Sequence, residues 1–178
     1  MTVEALRRRR PETLAQLLET YGRELQTIGY LILRDRAEAE DVVIETLLTA
    51  FERGGAIRDE RALRAWLLRV ATNQALGRRR KAARLVRLDL APDLAGAGDL
   101  ASESSTRITL LDGIDRLPAQ MRAALVLRYY ADLSVDEVAT ALGKSPNTIK
   151  AQLQAALDRL RTHLADPVGT SLREAHRA

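Results

Sequence analysis

Leu133-Ser-Val-Asp-Glu-Val-Ala-Thr-Ala-Leu-Gly143-Lys-Ser-Pro-Asn-Thr-Ile-Lys150 reads as two capped helices joined by a tight turn. Ser134 and Glu137 have the spacing of a capping box, in which each side chain satisfies an orphan backbone donor at the helix start. Gly143 supplies the left-handed residue that ends the first helix. Ser145 can cap the next one, and Pro146 suits its first turn, where a missing N–H costs nothing. Val135, Val138, Ala139 and Leu142 share one face, as do Ile149, Leu153, Ala156, Leu157, Leu160 and Leu164. That pattern leaves Asn147, Thr148, Lys150, Ala151 and Gln154 free of the core. In a helix-turn-helix, the N-terminal residues of the second helix face base edges in the major groove. Two apolar stripes alone would also suit an ordinary helical hairpin. The caps, the three-residue turn and the free polar N-terminus together favour a DNA reader.

Working outward, composition sets the bounds. The chain has 178 residues, 29% charged and 46% hydrophobic, with no apolar run near the ~18 residues of a membrane span. A formal charge of +4 favours a polyanionic partner without naming one. With 3% aromatic residues, few rings are available for stacking single-stranded bases. There is no cysteine, which excludes disulfides, thiolate metal sites and a cysteine nucleophile, and suits a reducing cytoplasm. The run Arg7 to Arg10 could open an export signal, but Glu12, Gln16 and Glu19 interrupt the leucines that follow, so no signal peptide is read.

Leu14, Leu17, Leu18, Tyr21, Leu25, Ile28 and Ile32 recur at helical steps and predict a helix from about Pro11 to Leu33. Asp35 and Glu38 cap a second that runs to about Arg53, where Gly54-Gly55 stops it. A third starts near Asp59, turns Leu63, Trp66, Leu67, Val70 and Gln74 inward, and ends in Gly77-Arg-Arg-Arg-Lys81. From Ala82 to Thr106 the helical period fades, Pro92, Gly96, Gly98 and serines accumulate, and Asp89, Asp93, Asp99 and Glu103 make the stretch acidic. It reads as a solvated linker. Helical patterns resume at Ile108–Leu117, Pro118–Tyr130, Val135–Leu142 and Pro146–Leu164. With no strand pattern, the expectation is an all-α chain of two small helical domains, residues 1–81 and 107–165, joined by a flexible linker over 82–106 and followed by a frayed tail over 166–178.

Two surfaces of the first domain stand out. At about 100° per residue, Ala39, Val43, Leu47, Ala50 and Phe51 lie on one side of the second helix, while Glu38, Asp41, Glu45 and Glu52 lie opposite. Leu48 sits inside that acidic stripe and Ile44 borders it. A basic partner that packs on the two apolar residues and pairs with the carboxylates would account for both features; a solvated face with an isolated leucine is the plainer reading. Asp41 and Glu45 are one turn apart, but no histidine or third oxygen donor converges on them, so neither a metal nor a cofactor is expected. On the third helix, Trp66, Arg69, Asn73 and Arg80 step along one flank beside the Arg78-Arg79-Arg80-Lys81 cluster. The arginines could hold phosphates and Asn73 an unstacked base, whereas Trp66 alone reads as core.

Taken together these fragments resemble the extracytoplasmic-function group of bacterial sigma factors, in the sigma-70 family. The matching text is Ala39-Glu-Asp-Val-Val-Ile-Glu-Thr-Leu-Leu-Thr-Ala-Phe51, then Trp66-Leu-Leu-Arg-Val-Ala-Thr-Asn73 and the following arginines. In the second domain it is Leu117-Pro118, Leu127-Arg-Tyr129, Leu133-Ser134, Glu137-Val-Ala139, Leu142-Gly143 and Thr148-Ile-Lys150. The resemblance implies a non-enzymatic cytoplasmic factor that binds core RNA polymerase and directs promoter-specific initiation. It implies that Glu38, Asp41, Ile44, Glu45 and Leu48 dock on the β′ clamp helices. Arg53, Ile57, Arg58, Arg61, Trp66, Arg69, Asn73, Arg78, Arg79 and Arg80 would handle the minus-ten element, with a flipped base captured by the loop Arg53–Arg61 and Asn73. The second domain, a helix-turn-helix of winged-helix-like region 4 type, would bind the β flap and set Lys144, Ser145, Pro146, Asn147, Thr148, Lys150, Ala151 and Gln154 against duplex DNA at the minus-thirty-five element. The linker would follow the RNA exit path, and an anti-sigma protein is an implied inhibitory partner.

The chain departs from the family pattern at several points. Ile44 stands where glutamine is usual, which makes the docking face more apolar. The capture loop, with Gly54, Gly55 and Ile57, lacks an aromatic, which points to weak melting. Gln152, Gln154 and Ala155 replace positions that are commonly basic, so the isolated protein is expected to bind DNA poorly. A stand-alone helix-turn-helix regulator, or a sigma-like adaptor defective in melting, are the alternatives.

Overall fold

A computed structural model describes residues 2–8, 10, 12–87 and 105–165, and every regular element among them is helical. The first unit contains α1 (Thr2–Arg7), α2 (Thr13–Leu33), α3 (Arg36–Arg53), a 3₁₀ turn (Gly54–Ala56) and α4 (Glu60–Arg87). The second contains α5 (Ser105–Asp115), α6 (Ala119–Leu125), a π turn (Val126–Tyr130), α7 (Val135–Leu142) and α8 (Pro146–Ala165). Most of the proposed linker, residues 88–104 with its four carboxylates, and the tail 166–178 lie outside the described residues, as do Arg9 and Pro11.

α2 and α3 form a tight hairpin. Arg34 ends α2 in the left-handed region at φ 60°, its N–H donating to the Tyr30 carbonyl at 2.7 Å. Asp35 follows at once as the N-cap of α3, its carboxylate accepting from the Glu38 N–H at 3.0 Å. Gly29 lets the two helices approach, because a β-carbon there would lie 3.2 Å from Ala39. Leu17, Leu25, Ile28 and Ile32 of α2, Val42 of α3, and Leu63, Leu67 and Leu68 of α4 are fully buried where the three helices meet. On α4 the buried face is rotated from the expected one: Ala71, Ala75 and Leu76 are buried, while Trp66, Val70 and Gln74 are half-buried. α4 also runs beyond its expected end at Lys81, through Gly77, to Arg87. Gly77 lies within the continuous helix, and a β-carbon there would meet nothing within 4 Å, so no close approach calls for the glycine.

The second unit follows its caps closely. Ser134 Oγ accepts from the Glu137 N–H at 3.2 Å, and Glu137 Oε2 accepts from the Ser134 N–H at 2.8 Å, completing the box. Gly143 takes φ 63° and ends α7, while Ser145 Oγ accepts from the Thr148 N–H at 3.1 Å at the start of α8. Val138, Ala139, Ile149, Leu153, Ala156 and Leu160 are buried as the pattern requires; Leu164 is instead exposed.

The two units touch. α4 packs along α7, and Arg64 on α4 ties the units at a second level, donating to the Ala131 carbonyl at 2.8 Å while pairing with Glu24 of α2. The completely buried Arg122 of α6 donates to the Ile32 carbonyl at 3.0 Å, where Arg79 of α4 donates at the same distance.

Candidate partner-docking and nucleic-acid surfaces

On α3 the buried side carries Ala39, Val42, Val43, Thr46, Leu47 and Ala50, which leaves the opposite side to solvent. Thr46 is reconciled to burial by donating its hydroxyl to Gln74 Oε1 at 2.9 Å. Ile44 and Leu48 are 57% and 48% exposed, too open to be core. Glu38, Asp41 and Glu45 lie beside them, and Arg78 reaches across from α4 to all three: Nη1 to Glu38 and to Asp41 (3.3 Å), Nη2 to Glu45. Hydrogen bonding to Glu38, outweighing the cost of burial, raises the Arg78 pKa above its ordinary value. The face thus presents an apolar pair beside three carboxylates fixed by one internal guanidinium.

Arg78 therefore stands with the expected docking residues and not among the phosphate-facing ones. Helical geometry gives the reason: five residues past Asn73, it is rotated by about 140° from that flank. Arg79 turns inward to the Ile32 carbonyl and lies 4.0 Å from Asp115, while Arg80 is exposed.

The rest of the expected single-strand surface is split. Trp66 and Arg69 line a cleft of about 380 Å³ between α4 and α7, facing Leu133, Glu137 and Ala141. Asn73 Nδ2 donates to the Ala141 carbonyl at 3.4 Å, and Arg61, one turn before Ala65, pairs with Glu137 at 3.4 Å. Hydrogen bonds from the Ser134 backbone and hydroxyl hold the Glu137 carboxyl below the usual range, and Arg61 lowers it further. Arg53, the last residue of α3, and Arg58, in the loop that leads to α4, are exposed. Ile57 is half-buried against the core, and its carbonyl accepts from Arg7 Nη2 at 3.1 Å.

At the other end of the molecule Lys144, Ser145, Pro146, Asn147, Thr148, Lys150, Ala151 and Gln154 are all exposed at the start of α8. Gln154 is drawn to Asp158 at 3.1 Å, which reduces its freedom to reach a base.

Sequence reasoning did not single out Arg64 or Arg122. For Arg122 a signal existed: it shares the i, i+3, i+4 register of Leu125 and Val126, both buried, so a cation was aimed at the core. Its guanidinium pairs with Asp115 at 2.8 Å and donates to the Ile32 and Leu117 carbonyls, while burial pushes its pKa down to about 10. Among the described residues no group of three or more acidic, histidine or cysteine side chains could hold a metal, and no helix is long and apolar enough to cross a membrane.

Comparison with known proteins gives these surfaces a context. The models of Sigma-70 region 2 and Sigma-70 region 4 match residues 17–85 and 107–160. The ECF RNA polymerase sigma factor SigL of Mycobacterium tuberculosis is 35% identical over 138 residues, covering 74% of this chain and 77% of the relative. The RNA polymerase sigma-E factor of Streptomyces antibioticus is 33% identical over 135 residues, 75% and 74% of the two chains. Among solved structures, the sigma factor RpoE from Bartonella quintana, in complex with the anti-sigma factor NepR, has a TM-score of 0.70 at 22% identity, covering 86% of this chain and 98% of that one. CnrH, in complex with the cytosolic domain of CnrY, has a TM-score of 0.65 at 22% identity, covering 92% and 95%.

Proposed function

Because the chain belongs to the sigma-70 family, in its extracytoplasmic-function group, we propose that it binds core RNA polymerase through the outer face of α3 and directs initiation at promoters read by its two units. The observation that carries this reading is the exposure of Ile44 and Leu48 beside Glu38, Asp41 and Glu45. An apolar centre rimmed by carboxylates suits a basic helical partner: the centre supplies affinity and the rim supplies register. The β′ clamp helices are the partner this face would meet. The start of α8 would read the minus-thirty-five duplex from the major groove, and the second unit would also bind the β flap. Asn73, Trp66 and Arg69, with the loop 53–61, would hold the opened minus-ten strand. No covalent chemistry is assigned to the chain.

The closed packing of α7 on that flank means the units part before Asn73 meets a base. The sigma factor RpoE, similar in fold, is solved with the anti-sigma factor NepR, and an inhibitory protein partner is part of the proposal. The test is run-off transcription of genomic fragments with purified core polymerase, comparing wild type, Asp41→Ala and Asn73→Ala. Asp41→Ala is expected to weaken core association. Asn73→Ala is expected to leave association intact and impair opening. Wild-type levels of transcription from both variants would refute the site assignments, and transcription that never depends on the chain would refute the function.

A further inference from the structure

The arginine run near the N-terminus lies outside both matched regions, and only Arg7, through the Ile57 carbonyl, has entered the surfaces described so far. α1 gives its first residue, Arg7, a fixed place. Val3 and Leu6 are buried, and Leu6 packs on Gly54: a β-carbon at that glycine would lie 3.2 Å from Leu6 Cδ1. The next residue, Arg7, lies alongside the loop, its Cα 4.0 Å from where a Gly55 β-carbon would stand, and its Nη2 donates to the Ile57 carbonyl at 3.1 Å. The Val3 N–H donates to Glu60 Oε1 at 3.2 Å, and Glu60 Oε2 accepts from the Tyr21 hydroxyl at 3.2 Å, so the start of α4 is tied to the same short helix. Thr13 Oγ1 donates to the Ala5 carbonyl at 3.2 Å and fixes the turn into α2.

α1 is therefore seated on the loop expected to receive the opened strand, and it brings positive charge there. Arg7 remains exposed although one of its N–H groups is used, and a guanidinium has five. Arg10 is exposed, as are Arg53 and Arg58 of the loop itself. Glu4, Glu12 and Glu60 are nearby carboxylates; Glu4 engages Arg8 at 2.9 Å and Glu60 accepts from the Val3 N–H and the Tyr21 hydroxyl. Among the described residues of the arm, Arg7 at the loop and Arg10, three residues on in the turn into α2, are thus the available cations. Arginine forks bind phosphate oxygens bidentately, and such contacts position a nucleic acid without reading its bases.

We propose that Arg7 and Arg10 of this N-terminal arm contact backbone phosphates of the single DNA strand held by the loop 53–61, adding a positioning site to the minus-ten surface. The inference rests on the proposed strand capture by that loop.

The experiment uses holoenzyme, assembled from core polymerase and the full chain, on fork-junction DNA with a single-stranded minus-ten segment taken from a promoter recovered by run-off transcription. Binding is measured from 50 to 200 mM salt for wild type, R7Q/R10Q, R7K/R10K, R10Q and N73A. Losing two single-strand phosphate contacts lowers the log–log salt slope by about 1.4, so the wild type's advantage over R7Q/R10Q shrinks about sevenfold across that range. R7K/R10K keeps the wild-type slope, because the charges remain. R10Q, which removes no hydrogen bond to the loop, shows about half the change and answers for a double variant that does not fold. An unchanged slope in R7Q/R10Q and R10Q overturns the inference, as does an equal fall in R7K/R10K, which would mark loop bracing alone. If N73A loses binding while the arginine variants do not, only the arm is refuted; if wild-type holoenzyme does not bind the fork, strand capture falls with it.

Discussion

Asn73 and Ala141 join the two halves of the chain: the amide Nδ2 on α4 donates to a carbonyl on α7 across 3.4 Å. Trp66 and Arg69 on the same flank face the same helix across a narrow cleft. The amide nitrogen of the side chain proposed to receive a base is therefore engaged by the protein itself, while the residue stays exposed. On the proposed reading, a strand that takes up Asn73 exchanges this contact for a new one as α7 moves away. Since the chain contains no cysteine, single cysteines at Glu12 and Thr162, both exposed, can carry a dye pair. Energy transfer between them is expected to fall when core polymerase is added, and to stay constant if the units do not part.

Arg122 is the largest fully buried side chain. Arg122→Ala removes its hydrogen bonds to Ile32, Leu117 and Asp115 and leaves a cavity beneath α6. The expected loss is about 3 kcal/mol in urea unfolding, from the cavity and the unmet partners together. A change below about 1 kcal/mol would mean the site collapses without cost.

Lys150 and Asn147 separate two kinds of contact at the start of α8, where both are exposed. Lys150→Ala is expected to weaken holoenzyme binding to all minus-thirty-five sequences alike and to lower the salt slope by about 0.9. Asn147→Ala is expected to relax preference at one base position by about 1–3 kcal/mol and to leave the slope unchanged. Competition binding against a set of single-base variants checks both.

Glu137 makes α7 sensitive to acid. Its folded pKa lies below its unfolded one, so the stabilisation is present above the ordinary carboxylate range and is lost as pH falls through the folded value. Glutamine can keep the capping bond but loses the charge at the helix start and the Arg61 pair, so wild type is expected to exceed Glu137→Gln in stability by about 0.3–1 kcal/mol at pH 7. That gap should close progressively below about pH 4.5 in thermal unfolding series. A gap that persists at pH 3 would assign the effect to packing rather than to the carboxylate.

What could be foreseen from the chain follows from where its information is local. α7 and α8 start where they were expected because Ser134, Glu137, Gly143, Ser145 and Pro146 act within one turn of their own positions. α1 was not foreseen, since a six-residue helix followed by arginines shows too little period. The π turn at Val126–Tyr130 has no cap or glycine to announce it. The α3 surface was legible because a leucine among carboxylates breaks a solvated pattern. The place of Arg78 was legible only by counting its rotation from Asn73. Closure of the two halves was not legible: beside the packing of α4 on α7 it is carried by isolated side chains, as Arg64 reaches the Ala131 carbonyl, and such contacts leave no repeating pattern.

The carbonyl of Ile32 accepts one guanidinium from its own half, Arg79, and one from the other, Arg122. A carbonyl oxygen has two lone pairs, and one remains engaged after the visitor leaves. The end of α2 is never orphaned by separation, and Arg122, still held by Asp115 and Leu117, regains hydration as it withdraws. Should the halves part as proposed, the shared carbonyl therefore keeps a partner on its own side throughout.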